Sequence, residues 1–259
     1  MKHMRQLDKE QIRSWMKSGT DITVLEETGS TNQYAKQLLN EGTRPPFLVI
    51  AGRQTAGRGR GDHTFFSPEN GFYYTLVIDP EQAADLSIVT IAAAVSLCEA
   101  IEDVFAIDCG IKWINDLYYM ERKVAGILCE APWRSDGHLD GIIIGIGVNL
   151  SPMEFPEELK DKAGTLGLED PDRSRLAGVL TERILAWCGQ TDKRILLQKY
   201  RSRSFLLGRT VSFVSEGRTI TGTAVDINEA GNLIVAADRT YTLDSGEVSL
   251  KNWAHEKDI

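Results

Sequence analysis

Arginine is concentrated where glycine is densest. Gly57-Arg58-Gly59-Arg60-Gly61, led in by Gly52-Arg53-Gln54-Thr55-Ala56, combines guanidiniums with a backbone largely free of side-chain bulk. Such a backbone approaches an anion closely, and a guanidinium grips a carboxylate or phosphate through two parallel N–H bonds. The chemistry this permits is anion binding; a flexible surface turn or a glycine–arginine tract for RNA has the same composition. Two phosphate loops are excluded by spacing. Gly52-x4-Gly57 continues as Arg58-Gly59 where a P-loop needs Lys and then Ser or Thr, and Asp62 stands where the third glycine of a dinucleotide fingerprint would fall.

A second constellation is Lys112-Trp113-Ile114-Asn115-Asp116-Leu117, followed by Lys123-Val124-Ala125-Gly126-Ile127-Leu128-Cys129-Glu130. Read as two strands around a turn, these segments bring two lysines, a carboxylate and an amide to one hairpin, although an ordinary solvent-facing charge pattern has the same form. A third is Gly145-Ile146-Gly147-Val148-Asn149-Leu150, an apolar strand interrupted by glycines. Glycine in a core strand admits a ligand or a second backbone, and tight packing explains it equally. Asn149-Leu150-Ser151 also matches the glycosylation acceptor pattern, which is discounted because no signal peptide is evident.

The elements that must position these residues follow from periodicity. A short helix is expected around Asp8 to Lys17 and a strand over Ile22 to Glu27, ending at Thr28-Gly29-Ser30-Thr31-Asn32, where Ser30 or Thr31 can cap a helix running through Leu39. Phe47 to Ala51 reads as a strand, Gly52 to Gly61 as a loop, Phe72 to Ile78 as a buried strand, and Asp85 to Phe105 as an alanine-rich helix under a sheet. Short strands follow at Gly110 to Ile114, Leu117 to Met120, Lys123 to Glu130 and Gly141 to Leu150, with turns near Asn115-Asp116 and Glu121-Arg122. Such close spacing favours hairpins in a mixed or antiparallel sheet over repeated βαβ units. Two helices around Arg173 to Arg203 close the large domain. Beyond Leu207-Gly208, short strands at Thr210 to Val214, Arg218 to Ile227, Leu233 to Ala236 and Thr240 to Leu243 call for a small β-barrel.

Composition narrows the possible roles. The 259 residues carry a net charge of −8, which opposes sequence-independent attraction to nucleic acid or an anionic membrane. The longest apolar run, Leu86 to Ile101, is broken by Ser87, Thr90, Ser96 and Glu99, so no membrane helix is expected, and the N-terminus lacks the apolar stretch of a secretory signal. A cytoplasmic protein is the expectation. Cys98, Cys109, Cys129 and Cys188 show no C-x-x-C pairing and read as buried thiols, and the four histidines form no metal-binding pair.

In this order and spacing, the motifs are more specific together than singly. Gly29-Ser30-Thr31-Asn32, Gln54-Thr55-Ala56-Gly57-Arg58-Gly59-Arg60, Phe66-Ser67-Pro68, Lys112-Trp113-x-Asn115-Asp116-Leu117, Lys123-Val124-Ala125-Gly126-Ile127-Leu128-x-Glu130 and Gly145-x-Gly147-Val148-Asn149 closely resemble biotin protein ligase. Gly246-Glu247-Val248-Ser249-Leu250 resembles that family's C-terminal domain, so the likeness covers nearly the whole chain. It implies an α+β fold: a class II synthetase-like catalytic domain over residues 1–206, with a mixed β-sheet and packed helices, then a small SH3-like β-barrel over 207–259. About 20 residues precede the catalytic motifs, which on this resemblance indicates the ligase-only type without a DNA-binding domain.

The resemblance implies that biotin and ATP form biotinyl-5′-AMP, and that the biotinyl group passes to a lysine of a biotin carboxyl carrier protein or carboxylase acceptor domain. Lys123, Arg60, Lys112 and Asp116 are then the catalytic candidates. Ser30, Thr31, Asn32, Gln54, Gly57, Arg58, Gly59, Arg60, Lys123 and Gly126 would bind biotin. Arg58, Arg60, His63, Phe65, Asn115, Asp116, Lys123 and Asn149 would bind ATP, with Asp116 helping to organise its Mg²⁺ and no protein-held metal firmly assigned. A homodimer is compatible with the family; DNA and membrane partners are not expected.

The chain departs from the family pattern in two places. Gly61-Asp62-His63-Thr64-Phe65 replaces a longer basic run ending in Trp, losing one or two cations, each worth on the order of 1.5–3 kcal/mol where it bonds a charge. Weaker retention of the adenylate is expected. Ile114 stands where the family has proline. The competing readings are a lipoate or octanoate ligase, whose acyl pocket is apolar where a ureido ring needs polar partners, and a biotin-sensing protein without turnover.

Overall fold

Residues 6–61, 63–132, 139–246 and 248–250 are described in a computed structural model of the chain. Asp62 and Glu247 lie outside the described residues, as do His3, His138 and His255. The N-terminal part runs α1 (Lys9–Ser14), β1 (Asp21–Thr28), α2 (Thr31–Asn40), β2 (Phe47–Gln54), β3 (Gly71–Ile78), α3 (Val89–Phe105), β4 (Gly110–Lys112), β5 (Asp116–Tyr119), β6 (Arg122–Glu130) and β7 (Ile142–Asn149), closed by α4 (Arg173–Cys188) and α5 (Arg194–Arg203). The seven strands form one sheet in the order β1-β2-β3-β7-β6-β5-β4. Only β1 and β2 run parallel, joined by the crossover helix α2, and the rest pair antiparallel.

Alternation along β3 and β7 divides the apolar residues between two faces. Phe72, Tyr74, Leu76 and Ile78, with Ile142, Ile144, Ile146 and Val148, join α3 and α4 in the main core. Ala92, Ala93 and Ala94 keep α3 slim where it is fully enclosed. On the opposite face, Val77 and Ile143 meet Ala35 and Leu39 of α2. The next positions on that face, Thr75 opposite Gly145 and Tyr73 opposite Gly147, continue toward the end of the sheet where the candidate site lies.

A buried carboxylate ties three helices together. Glu99 of α3 accepts from Arg183 Nη1 at 2.8 Å and Trp187 Nε1 at 3.0 Å on α4, and pairs with Lys199 Nζ of α5 at 2.7 Å. Burial pushes its acidity the other way, but the bonds from Lys199 and Trp187 and the Arg183 charge hold the carboxyl below the ordinary glutamate value. A depressed folded pKa contributes stability that is complete above the unfolded value and disappears as pH falls through the folded one. Glu99→Gln is therefore expected to cost roughly 1–3 kcal/mol near neutrality, with the gap to wild type narrowing below the glutamate range. Urea denaturation at stepped pH reads this, and a constant gap from neutrality into acid would exclude it.

The C-terminal strands β8 (Thr210–Ser215), β9 (Arg218–Ile227), β10 (Leu233–Ala236), β11 (Thr240–Leu243) and β12 (Ser249–Leu250) make a five-stranded antiparallel sheet ordered β11-β10-β9-β8-β12. Its inner residues, among them Val211, Phe213, Leu233 and Leu250, belong to the same buried cluster as the large sheet. Trp113 Nε1 donates to Gly231 O at 2.9 Å, and Gly231 sits at φ +85 where a Cβ would strike Ile91. Among the described residues no helix is long and apolar enough to cross a membrane.

Several boundaries differ from the sequence reading for local reasons. Gly52, Arg53 and Gln54 extend β2, because their partners in β1 reach Thr28. The helix expected from Asp85 begins as a 3-10 turn over Leu86–Ile88, capped by Asp85 accepting from Ser87 N, and becomes α-helical at Val89. Asp116 is a strand residue opposite Lys112, and the β5–β6 turn falls on Met120 and Glu121, both at positive φ, rather than on Glu121-Arg122. Cys98, Cys109 and Cys188 are buried as expected, whereas Cys129 is only half-buried.

Candidate active site

Ser30 occupies the N-cap position of α2, yet neither Ser30 nor Thr31 supplies the capping bond. Gln54, at the end of neighbouring β2, does: its Oε1 accepts from Thr31 N at 2.8 Å and lies 3.0 Å from Thr31 Oγ1. Its Nε2 donates to Ser67 Oγ at 3.0 Å. Thr75 Oγ1 donates to Asn32 Oδ1 at 2.7 Å and sits 2.8 Å from Thr31 Oγ1. These buried hydroxyls and amides are held in place before any ligand arrives, as a specific hydrogen-bonding pocket requires.

The glycines on β6 and β7 make room for them. A Cβ at Gly145 would overlap the Asn32 amide, and one at Gly147 would overlap the ring of Phe65. Gly126, paired with Gly147, lies beneath both the Lys123 side chain and the Phe65 ring. Positions two apart on a strand are separated by roughly 6.8 Å. The polar cluster over Gly145 therefore gives way to the Phe65 ring over Gly147, and across the ladder to Asp116 opposite Gly126. Lys123 Nζ pairs with Asp116 Oδ1 there at 2.7 Å. Asn115 is tied back through Nδ2 to Ile127 O at 2.8 Å, and Lys112 Nζ stands 5.7 Å from the Tyr118 ring centroid.

The arginine loop is folded on itself. Arg58 bridges Thr64, Gly59 N donates to His63 O at 2.8 Å and Phe65 N to Gly57 O at 3.0 Å, so Arg58 and Arg60 project from a short hairpin. One cavity of about 910 Å³ is lined by Ser30, Thr31, Asn32, Gln54, Arg58, Gly59, Arg60, His63, Phe65, Lys112, Asn115, Asp116, Lys123 and Gly126, all named from sequence. Gly57 and Asn149 stand behind its walls. Gly57 is buried where a Cβ would strike Phe65 O and Ser67 Oγ, and Asn149 Nδ2 donates to Gly164 O at 3.0 Å.

Sequence reasoning missed part of the wall. Leu159, Asp161, Lys162 and Ala163 follow β7 and are held by Lys123 N donating to Lys162 O at 3.0 Å and Gly164 N to Lys123 O at 2.8 Å. Gly246, Val248, Ser249 and Leu250 bring the C-terminal sheet to the same space. Cys129 is no nucleophile here: it alternates away from Leu128, and burial pushes its thiol up to about 11.

Comparisons with known proteins show the family. The sequence pattern described as "Biotin/lipoate A/B protein ligase family" matches residues 24–149, and that of "Biotin protein ligase C terminal domain" matches 206–251. The bifunctional ligase/repressor BirA of Bacillus subtilis is 30% identical over 245 residues, covering 88% of this chain and 74% of that protein. The biotin–[acetyl-CoA-carboxylase] ligase of Mycobacterium tuberculosis is 29% identical over 245 residues, covering 88% of each. Among solved structures, the Aquifex aeolicus biotin protein ligase in complex with biotin and ATP superposes with a TM-score of 0.77 at 31% identity, over 89% of this chain and 98% of that one. With its mixed sheet, its C-terminal antiparallel sheet and this motif-lined cavity, the chain belongs to the biotin protein ligases of the biotin/lipoate A/B protein ligase family.

Proposed function

We propose that the chain activates biotin with ATP and passes the biotinyl group to a lysine of a biotin carboxyl carrier protein or equivalent carboxylase domain. A biotin carboxylate oxygen attacks the α-phosphorus, pyrophosphate leaves, and biotinyl-5′-AMP forms. The acceptor amine then attacks the carbonyl carbon and AMP leaves. The observation that carries this reading is the placement of a satisfied polar cluster and a group of cations in one cavity. The ureido head of biotin needs donors and acceptors, offered by Ser30, Thr31, Asn32 and Gln54. The carboxylate and α-phosphate repel each other, and fixed cations at Arg58, Arg60, Lys112 and Lys123 lower that barrier without reorganisation.

Among the described residues no group of three His, Cys, Asp or Glu could hold a metal ion. Mg²⁺ is commonly held by one or two carboxylates together with substrate phosphates. Asp116 is the carboxylate that would hold it, and the ion would neutralise phosphate charge. The domain division at 206/207 is part of the same reading, with the C-terminal sheet contributing Val248 to Leu250 to the wall.

The test is biotin-dependent exchange of labelled pyrophosphate into ATP, run beside lipoate and octanoate. Exchange with biotin alone is expected. Exchange with lipoate would move the chain to the sister activity, and biotin binding without exchange would make it a sensor. Arg60→Ala is expected to lower single-turnover adenylate formation or speed adenylate loss by about 10–100-fold, the scale of one charge-assisted contact. Unchanged adenylation and release would remove Arg60 from the site.

A further inference from the structure

Glu130 ends β6 on the cavity side of the sheet, opposite Ile143, and nothing in the mechanism uses it. Its Oε2 accepts from Asn32 Nδ2 at 2.8 Å, and its Oε1 lies 3.9 Å from Arg58 Nη1. It also borders a smaller pocket of about 150 Å³ with Lys36, Ala131, Pro132 and Ile143, so it stands between the two spaces. The Asn32 amide is otherwise bonded through Nδ2 to Leu128 O at 3.3 Å and through Oδ1 from Thr75 at 2.7 Å.

Counting protons fixes what Asn32 can offer. A primary amide has two N–H groups and two acceptor sites on its oxygen. Both N–H groups face Glu130 and Leu128 O, so only the second acceptor site of Oδ1 remains for a ligand. Glu130 is acceptor-only when ionised, so it rejects the flipped amide, whose oxygen would face a carboxylate.

We infer that Glu130 is a positioning residue for biotin: it locks Asn32 with Oδ1 toward the cavity, as the acceptor for a ureido N–H. This deepens the proposed function and rests on it. Because Glu130 acts through Asn32 and touches no reacting atom, its removal affects biotin affinity rather than the chemical step.

The experiment measures biotin binding by calorimetry and pyrophosphate exchange at limiting and saturating biotin. Glu130→Ala is expected to weaken biotin binding by roughly 10–100-fold while exchange at saturating biotin stays within about threefold of wild type. Glu130→Gln retains an acceptor oxygen for Asn32 and is expected to recover most of that loss. The double variant Glu130→Ala/Asn32→Ala should bind no more weakly than Asn32→Ala alone.

Wild-type affinity in Glu130→Ala, equal loss in Gln and Ala, or additivity with Asn32→Ala would each overturn the inference. Failure of the functional reading is separate and shows in the wild-type protein, which would then bind no biotin or bind it without pyrophosphate exchange. Amide NMR tests the lock without ligand: the two Asn32 side-chain N–H signals should shift in Glu130→Ala and stay near wild type in Glu130→Gln. Unshifted signals in Glu130→Ala count against the lock itself.

Discussion

Lys123→Ala is expected to reduce biotin-dependent pyrophosphate exchange by about 10²–10³-fold, the effect of removing one fixed donor from developing negative charge in an enclosed site. Lys123 sits on the bulged β5–β6 ladder, its backbone clamped on both sides by Lys162 O and Gly164 N. Its ammonium is therefore placed by main-chain bonds rather than by a flexible loop. In the ligand-free chain it neutralises Asp116 at 2.7 Å. Truncation thus removes a cation and also leaves a carboxylate facing the triphosphate. Exchange should fall further in Lys123→Ala/Asp116→Asn, because the second change also removes the carboxylate proposed to hold Mg²⁺. If the single variant exchanges at the wild-type rate, Lys123 is not the residue that offsets the carboxylate–phosphate repulsion. If the double variant exchanges better than the single, Asp116 serves chiefly to pair with Lys123 and does not hold the metal.

How much of this was legible in the sequence depended on the range of the interaction. Strand and helix runs follow from alternation and periodicity, so β3, β7, α4 and the short C-terminal strands lie close to where the pattern puts them. The residue types of the site were legible only through the order and spacing of all the motifs together, since the Gly-Arg loop and the lysine hairpin each had an ordinary surface reading alone. The pairings were not. Gln54 satisfies the start of α2 from 23 residues away, and Asn32 bonds Glu130 across 98 residues. No local signal encodes these partners, since they exist only once β6, β7 and α2 share one face. Ser30 and Thr31 were read as caps for the same reason: the local rule is sound, but a tertiary acceptor took the bond. The wall after β7 has no periodicity at all, and its place comes from backbone bonds to Lys123 and Asn149.

The glycines of β7 give the second large effect, because sequence left open whether they admitted a ligand, another backbone or close packing. They admit protein side chains: Asn32 over Gly145 and the Phe65 ring over Gly147. Gly145→Ala is expected to weaken biotin binding by at least 100-fold. The added methyl would overlap the Asn32 amide, whose partners Thr75, Leu128 O and Glu130 leave it no relaxed position. Displacing the amide leaves the Asn32 dipole unpaired, at roughly 1–3 kcal/mol, while the Thr75 hydroxyl keeps Thr31 Oγ1 as its partner. Biotin affinity and urea stability should therefore fall together. Gly145→Ala/Asn32→Ala separates the two causes: truncating Asn32 removes the overlap, so stability should return while biotin affinity stays low. Full recovery of affinity in that double variant would mean that Asn32 contributes nothing to the ligand, and that the glycine serves packing alone.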